Sequence, residues 1–350
     1  MALKRIEKVV LHNKVASLTV DLYGGAIVDF RLKNRDVNPL SFSFSAAEMP
    51  DNNQGGGAPY RGHFLCLGRW GAPTPGEREA GLPHHGQAAH LRWEATGRPG
   101  DLMADMQVDS PLEGLRLKRS MLLDAHDAGC QVTESVTNYR SLGRFYNMVQ
   151  HPTLAAPFLG LDTRVACNAE RGFDQAFYRD AEQAPFSWPL VKDKGGRDFD
   201  LRAPALPYNS VFSFAVRREA QYGWICAWSR EHRLLMGYLW KRVDYPWIHL
   251  WQRWNQGRLL YRGIEFGTAG IHQPFDRILE TGVRLLGVPS VAYIDAGETV
   301  TRRYGAFLFP LEAELDDIET LEVRHDTGQL VIRHSAGEIC LHVDLNHIEA

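Results

Sequence analysis

Leu115-Arg-Leu-Lys-Arg-Ser-Met-Leu-Leu123, followed closely by Cys130-Gln-Val-Thr-Glu-Ser-Val-Thr-Asn138, decides the fold class. Apolar and polar residues alternate with period two in both segments, as in a strand with one buried and one wetted face. Two such runs joined by a short polar link read as antiparallel neighbours. The same alternation recurs in Ala16–Leu22 and Ala26–Leu32, with Tyr23-Gly-Gly25 turning the chain between them. It returns in Gly223–Ser229, Leu234–Trp240 and Trp247–Trp251. No long segment carries apolar residues at helical spacing with caps at both ends. The expectation is an all-β protein, a large antiparallel sandwich with strands separated by Gly, Pro, Asn and Asp.

The chain has 350 residues and a formal net charge of −3. That balance gives no electrostatic reason to expect nucleic acid or an anionic membrane as partner. Cys66, Cys130, Cys167, Cys226 and Cys340 are far apart and odd in number, without metal-type spacing, and read as reduced thiols. The N-terminal run lacks an apolar stretch of signal-peptide length, so a cytoplasmic location is expected. Two long loops stand out, 49–57 and 68–90, and the second holds His84 and His85. Near the C-terminus, Leu321–His325, Leu330–His334 and Ile339–Val343 read as a three-strand meander with turns at Asp326-Thr-Gly328 and Ser335-Ala-Gly337. The organisation expected is a sandwich over residues 1–312 and a C-terminal β extension over 313–350. That extension packs on the main body or on a second copy, which makes the protein a monomer or homodimer.

Three residues point to proton chemistry. Glu265 ends the strand-like run Leu259-Leu-Tyr-Arg-Gly-Ile-Glu-Phe-Gly-Thr268, a lone carboxylate in an apolar setting. His85 lies in Leu82-Pro-His-His-Gly86 and His151 in Gln150-His-Pro-Thr153. A carboxylate that accepts a proton and an imidazole that gives one form a general base and a general acid. Adjacent histidines on an extended chain point different ways, so one of His84 and His85 serves as ligand and the other as bystander. No third ligand stands at a metal-site spacing, so no metal and no cofactor are expected.

Several stretches, taken in order, resemble the galactose mutarotase-like superfamily. They are Tyr60-Arg-Gly-His63 leading into a loop, Leu82-Pro-His-His-Gly86, Trp93-Glu94, Asn147-Met-Val-Gln-His-Pro-Thr153, Arg262-Gly-Ile-Glu-Phe-Gly-Thr268 and Ala296-Gly-Glu298. The match runs from about Val9 to Phe309. The resemblance implies a β-supersandwich with a shallow sugar cleft and interconversion of the α and β anomers of an aldose. It implies Glu265 as base on the C1 hydroxyl and His151 as acid on the ring oxygen. His85, Arg61, Asn209, Gln252 and Trp251 are the expected substrate-binding residues, and the partner is a monosaccharide or sugar derivative. Two features depart from the family pattern. Asn209, in Tyr208-Asn-Ser-Val-Phe212, stands where the family has an aspartate that grips sugar hydroxyls. Gln87 follows His-Gly where the phosphosugar branch has an arginine, leaving Arg69 or Arg92 to compensate. A free sugar is therefore expected. A non-catalytic carbohydrate-binding protein, or another proton transfer on a sugar derivative, remains an alternative on the same scaffold.

Overall fold

A computed structural model describes residues 7–50, 53, 56–193, 195–204, 207–324, 326–335, 337–342 and 346–348. Two antiparallel sheets face each other. The larger runs in spatial order through Lys8–His12, Ala16–Asp21, Ala26–Leu32, His63–Gly68, Arg144–Ala155, Arg258–Gly267, Trp247–Asn255, Ser210–Val216 and Ala169–Asp174, then three short edge strands. The smaller runs through Arg164–Cys167, Tyr222–Ser229, Leu234–Lys241, Thr299–Pro310, Gly129–Asn138, Leu115–Leu123, Met103–Ser110 and Glu94–Ala95. All strand pairings among the described residues are antiparallel, as the alternation predicts. Helices are reduced to short pieces such as Pro75–Glu79 and Phe275–Thr281. No described helix is long and apolar enough to cross a membrane.

The main core lies between the sheets. Leu18, Ile27, Leu65, Met148 and Ile264 from the larger sheet meet Met121, Val132, Val136, Ile225 and Met236 from the smaller. Leu115–Leu123 buries every second residue, as its sequence demands. Arg144–Ala155 is different: from Tyr146 onward it is buried on both faces, so its sequence shows no period.

Both outer faces are covered. Over the smaller sheet lies the meander Thr320–Arg324, Gln329–His334 and Gly337–His342. Its Leu321, Leu330, Ile332 and Leu341 pack on Trp224, Trp228, Leu235 and Phe307. His325 and Val343 of the expected strands lie outside the described residues. Over the larger sheet, side chains from the loop regions at 42–60, 70 and 89 form a second apolar cluster with Phe64, Cys66 and Val149. Of the expected loop 49–57, residues 51, 52, 54 and 55 also lie outside the described residues. The expected loop 68–90 holds one helical turn, Pro75–Glu79, capped by Thr74. Cys66, Cys130, Cys167 and Cys226 are buried free thiols, and Cys340 is an exposed one.

Candidate active site

The site grows from register. Phe64 pairs with His151 across adjacent strands, and His249 pairs with Glu265. The register that joins Gly263 to Thr153 and Phe266 to Gln150 sets Glu265 opposite His151. Ser213 pairs with His249 on the next strand. Five strands thus contribute one row, Phe64–His151–Glu265–His249–Ser213, to the outer face of the larger sheet. Alternation sends their chain neighbours Gln150 and Ile264 to the opposite face.

His151 Nε2 lies 3.2 Å from Glu265 Oε1. The Trp70 indole N–H donates to Glu265 Oε2 at 3.2 Å. His151 Nδ1 lies 2.9 Å from Thr153 Oγ1, whose hydroxyl donates to the His151 carbonyl. The hydroxyl hydrogen being used there, Nδ1–H is the donor to Thr153, and Nε2 is left to exchange a proton with Glu265. The ring is stacked on Phe64 at 4.2 Å. Burial raises the Glu265 carboxyl well above its usual range, opposed by the Trp70 hydrogen bond. Burial holds His151 well below the usual imidazole value. The pair therefore rests with little net ionisation and one proton between the two atoms.

Above the pair opens a cavity of about 250 Å³. Pockets for drug-sized ligands measure roughly 300–1,000 Å³, so this space suits a smaller molecule. Phe42, Phe44 and Trp251 form one wall; His84, His85 and His272 form another; Arg253 and Glu48 also line it. His85 has a left-handed backbone, with φ 62°. Its own N–H donates to the Gly71 carbonyl, and the Gly71 N–H donates to its Nδ1 at 3.0 Å. A backbone N–H can only donate, so neutral His85 carries its proton on Nε2. The loop is seated by Gly86: a Cβ there would fall 1.8 Å from the Leu67 carbonyl and 2.6 Å from Glu113 Oε1. Both Glu113 oxygens accept from the Gln87 N–H, at 3.1 and 3.2 Å.

His84, His85 and His272 bring three ring nitrogens within 4.8 Å of one another. The sequence spacing gave no hint of His272 as a third member. Zinc bound at about 2.0–2.1 Å needs bare nitrogens roughly 3.3–3.4 Å apart in a tetrahedron. His85, with Nδ1 accepting from Gly71 and Nε2 protonated, offers none. The trio as folded is a hydrogen-bonding wall. Burial holds His84 down to about 3 and His272 to about 4. Both are neutral near pH 7, each ring then having one donor and one acceptor nitrogen, and the His272 ring also bonds its own backbone.

Of the residues expected from sequence, Glu265, His151, His85 and Trp251 share this pocket. Three others lie elsewhere. Gln252 follows Trp251 on its strand, so it faces the other side, where its amide donates to the Tyr208 carbonyl at 3.3 Å. Asn209 is exposed and accepts from the Trp254 N–H at 2.7 Å. Arg61 pairs with Asp21 at 3.0 Å. Arg69 is also away from the pocket, buried against Glu77 at 2.6 Å and Glu113 at 4.0 Å. Arg92 is not among the pocket residues either, and its backbone bridges to Tyr23. Sequence reading missed Trp70, His249, His272 and Arg253. His249 and Arg253 were legible, since Trp247-Ile-His-Leu-Trp-Gln-Arg253 sets His249, Trp251 and Arg253 on one face. Trp70 and His272 sit in loops, where no period reports a side chain's direction.

Solved structures share this architecture. One is a protein from Synechocystis sp. PCC 6803, 16% identical, with TM-score 0.61 over 89% of this chain and 98% of that one. Another is a galactose mutarotase related enzyme from Lactobacillus acidophilus, 12% identical, with TM-score 0.62 over 87% and 98%. The chain has the galactose mutarotase-like fold. A galactose mutarotase-like protein from Clostridium acetobutylicum matches it too, 14% identical, with TM-score 0.60 over 87% of this chain and 95% of that one. No protein-family model and no curated protein sequence matches the chain.

Proposed function

We propose that the protein is an aldose 1-epimerase-like enzyme that interconverts the α and β anomers of a free monosaccharide. The observation that carries the reading is the 3.2 Å contact between His151 Nε2 and Glu265 Oε1 on the floor of a ligand-sized pocket. Ring opening needs one proton removed from the C1 hydroxyl and one delivered to the ring oxygen. Both oxygens are bonded to the same carbon, so two neighbouring groups on one wall reach them together. Glu265 takes the hydroxyl proton and His151 Nε2–H protonates the ring oxygen. The aldehyde turns about C1–C2, and closure on its other face returns both protons. Burial favours a carboxylic acid and a neutral imidazole at rest, so sugar binding first moves the shared proton from Oε1 to Nε2. The short contact allows this without a carrier.

The walls suit a sugar. Trp251 and Phe44 offer π-faces to C–H groups. His85 Nε2–H, His84 and His272 supply hydrogen bonds to hydroxyls. Polarimetry on fresh α-D-glucose, α-D-galactose and a panel of other aldoses tests the reading. The native protein is expected to exceed the spontaneous rate on at least one, with Glu265→Gln and His151→Asn both losing the acceleration. A native protein that accelerates none of them would overturn it and leave a carbohydrate-binding role on the same scaffold.

A further inference from the structure

We infer that Trp70, clamped between His249 and His272 by a hydrogen-bond chain that starts at Gln175, is the positioning residue that holds Glu265 for proton transfer and reserves Oε1 as the transferring oxygen. The inference rests on the proton exchange proposed for His151 and Glu265.

The chain begins at an amide whose orientation the backbone dictates. Gln175 Oε1 accepts from the His272 N–H at 2.9 Å, and Nε2 donates to the Gly270 carbonyl at 2.9 Å. Neither backbone partner can exchange roles, so the amide cannot flip. Its second N–H goes to Ser213 Oγ at 2.5 Å. Ser213 is fully buried, and the group facing its hydroxyl is His249 Nδ1 at 2.7 Å. Oγ accepts from Gln175, and among the described residues Nδ1 is the acceptor within reach of its hydrogen, so that hydrogen goes to Nδ1. That fixes His249 as the Nε2–H tautomer. Burial keeps this imidazole neutral.

His249 then presents its ring to Trp70, with centroids 4.0 Å apart and planes at 31°. His272 meets the same indole edge-on at 4.7 Å and 78°. The segment that carries His272 is itself pressed down, for a Cβ on Gly270 would lie 2.7 Å from the Trp247 indole. Gln175 thus ties both sides of the clamp, one through Ser213 and one through the His272 backbone. Trp70 is 1% exposed and has one place to aim its N–H, Glu265 Oε2. An indole N–H donates and does not ionise in this range. It favours the carboxylate and occupies Oε2, so proton traffic passes through Oε1, the atom facing His151.

The test separates the clamp from the reaction. Trp70→Phe keeps an aromatic ring and removes the donor. Loss of a hydrogen bond to a charged group is expected to lower kcat roughly 10–100-fold, with KM within about threefold. The limb of the pH–rate profile that reports carboxylate formation moves to higher pH. Ser213→Ala, read the same way, lowers kcat, and Ser213→Thr restores it. Native kcat and an unmoved pH profile in Trp70→Phe overturn the inference. A second readout needs no activity and uses the full-length protein. In ¹⁵N-resolved NMR, His249 is expected as the Nε2–H tautomer. The Trp70 indole signal is expected to shift in both Glu265→Gln and Ser213→Ala. If the native protein accelerates no aldose, the epimerase reading fails while the NMR arm still decides the clamp. An indole signal that ignores both substitutions removes it.

Discussion

Two buried glutamates stand back to back across one sheet. Glu134 faces the core and pairs across strands with Arg119, Oε1 to Nε at 2.7 Å. Its other oxygen accepts from Gln150 Nε2 at 2.5 Å. Glu265 faces the pocket and meets His151, the residue next to Gln150 in the chain. Both are cross-strand pairs and both are 0–1% exposed. What differs is the partner. Arg119 never yields its proton, also donates to the Gly25 carbonyl, and lies 4.4 Å from the Trp93 ring. Glu134 is therefore tied to a partner that cannot exchange a proton, and it serves structure. His151 is a group that gives and takes a proton, and the space above it is open. The same side chain becomes a strut or a proposed catalyst according to whether its neighbour can titrate.

The largest effect that could break this contrast is on rate. Glu265→Gln is expected to lower kcat/KM about 10²–10⁴-fold while leaving the urea midpoint near native, because the amide still fits between Trp70 and His151. The converse holds at the other glutamate. Arg119→Met leaves Glu134 buried without its cation, held by Gln150 alone, and should cost about 3–5 kcal/mol of stability in urea denaturation. Replacing both, Arg119→Met with Glu134→Leu, is expected to recover most of that loss. A single Arg119→Met with native stability would erase the distinction.

A smaller effect sharpens it through pH. His63 donates to Gln150 at 3.0 Å behind the same strand, and burial, then the charge of Arg119, holds it down to about 3. Its unfolded value is about 6.5. Unfolding therefore takes up a proton in that window, and stability falls as pH drops from about 6.5 towards 3. Each such group contributes a slope of about 1.4 kcal/mol per pH unit. His63→Gln should flatten the acid limb by about one proton, measured by urea denaturation between pH 4 and 6.5. The smallest effects fall outside both pairs. Arg61→Ala and Asn209→Ala are expected to change kcat/KM by less than about threefold and stability by about 1 kcal/mol or less. A tenfold loss in either would return that residue to the proposed site.

Sheet architecture was legible because Leu115–Leu123 and Gly129–Asn138 each bury one face, and period two reports that directly. Arg144–Ala155 was not, since a strand covered on both sides loses its period. Its His151 was singled out through the unusual pairing of histidine with proline, and it lines the pocket. Alternation also explains why Gln252 lies outside the pocket: consecutive residues Trp251 and Gln252 cannot both enter one cleft. Asn209 and Arg61 were read from family position, and position does not say where a side chain points. Trp70 and His272 reach the pocket from loops, whose course depends on tertiary contacts rather than on any repeat.

Gly86 carries a last consequence. Where its α-hydrogen lies, the main chain of the His85 turn rests directly on the carbonyl of Leu67. The height of the histidine wall above the sheet is thus set by backbone on backbone, with no adjustable spacer between them. Exchanging wall side chains alters the lining of the chamber, but its depth is a main-chain packing distance that such exchanges leave untouched.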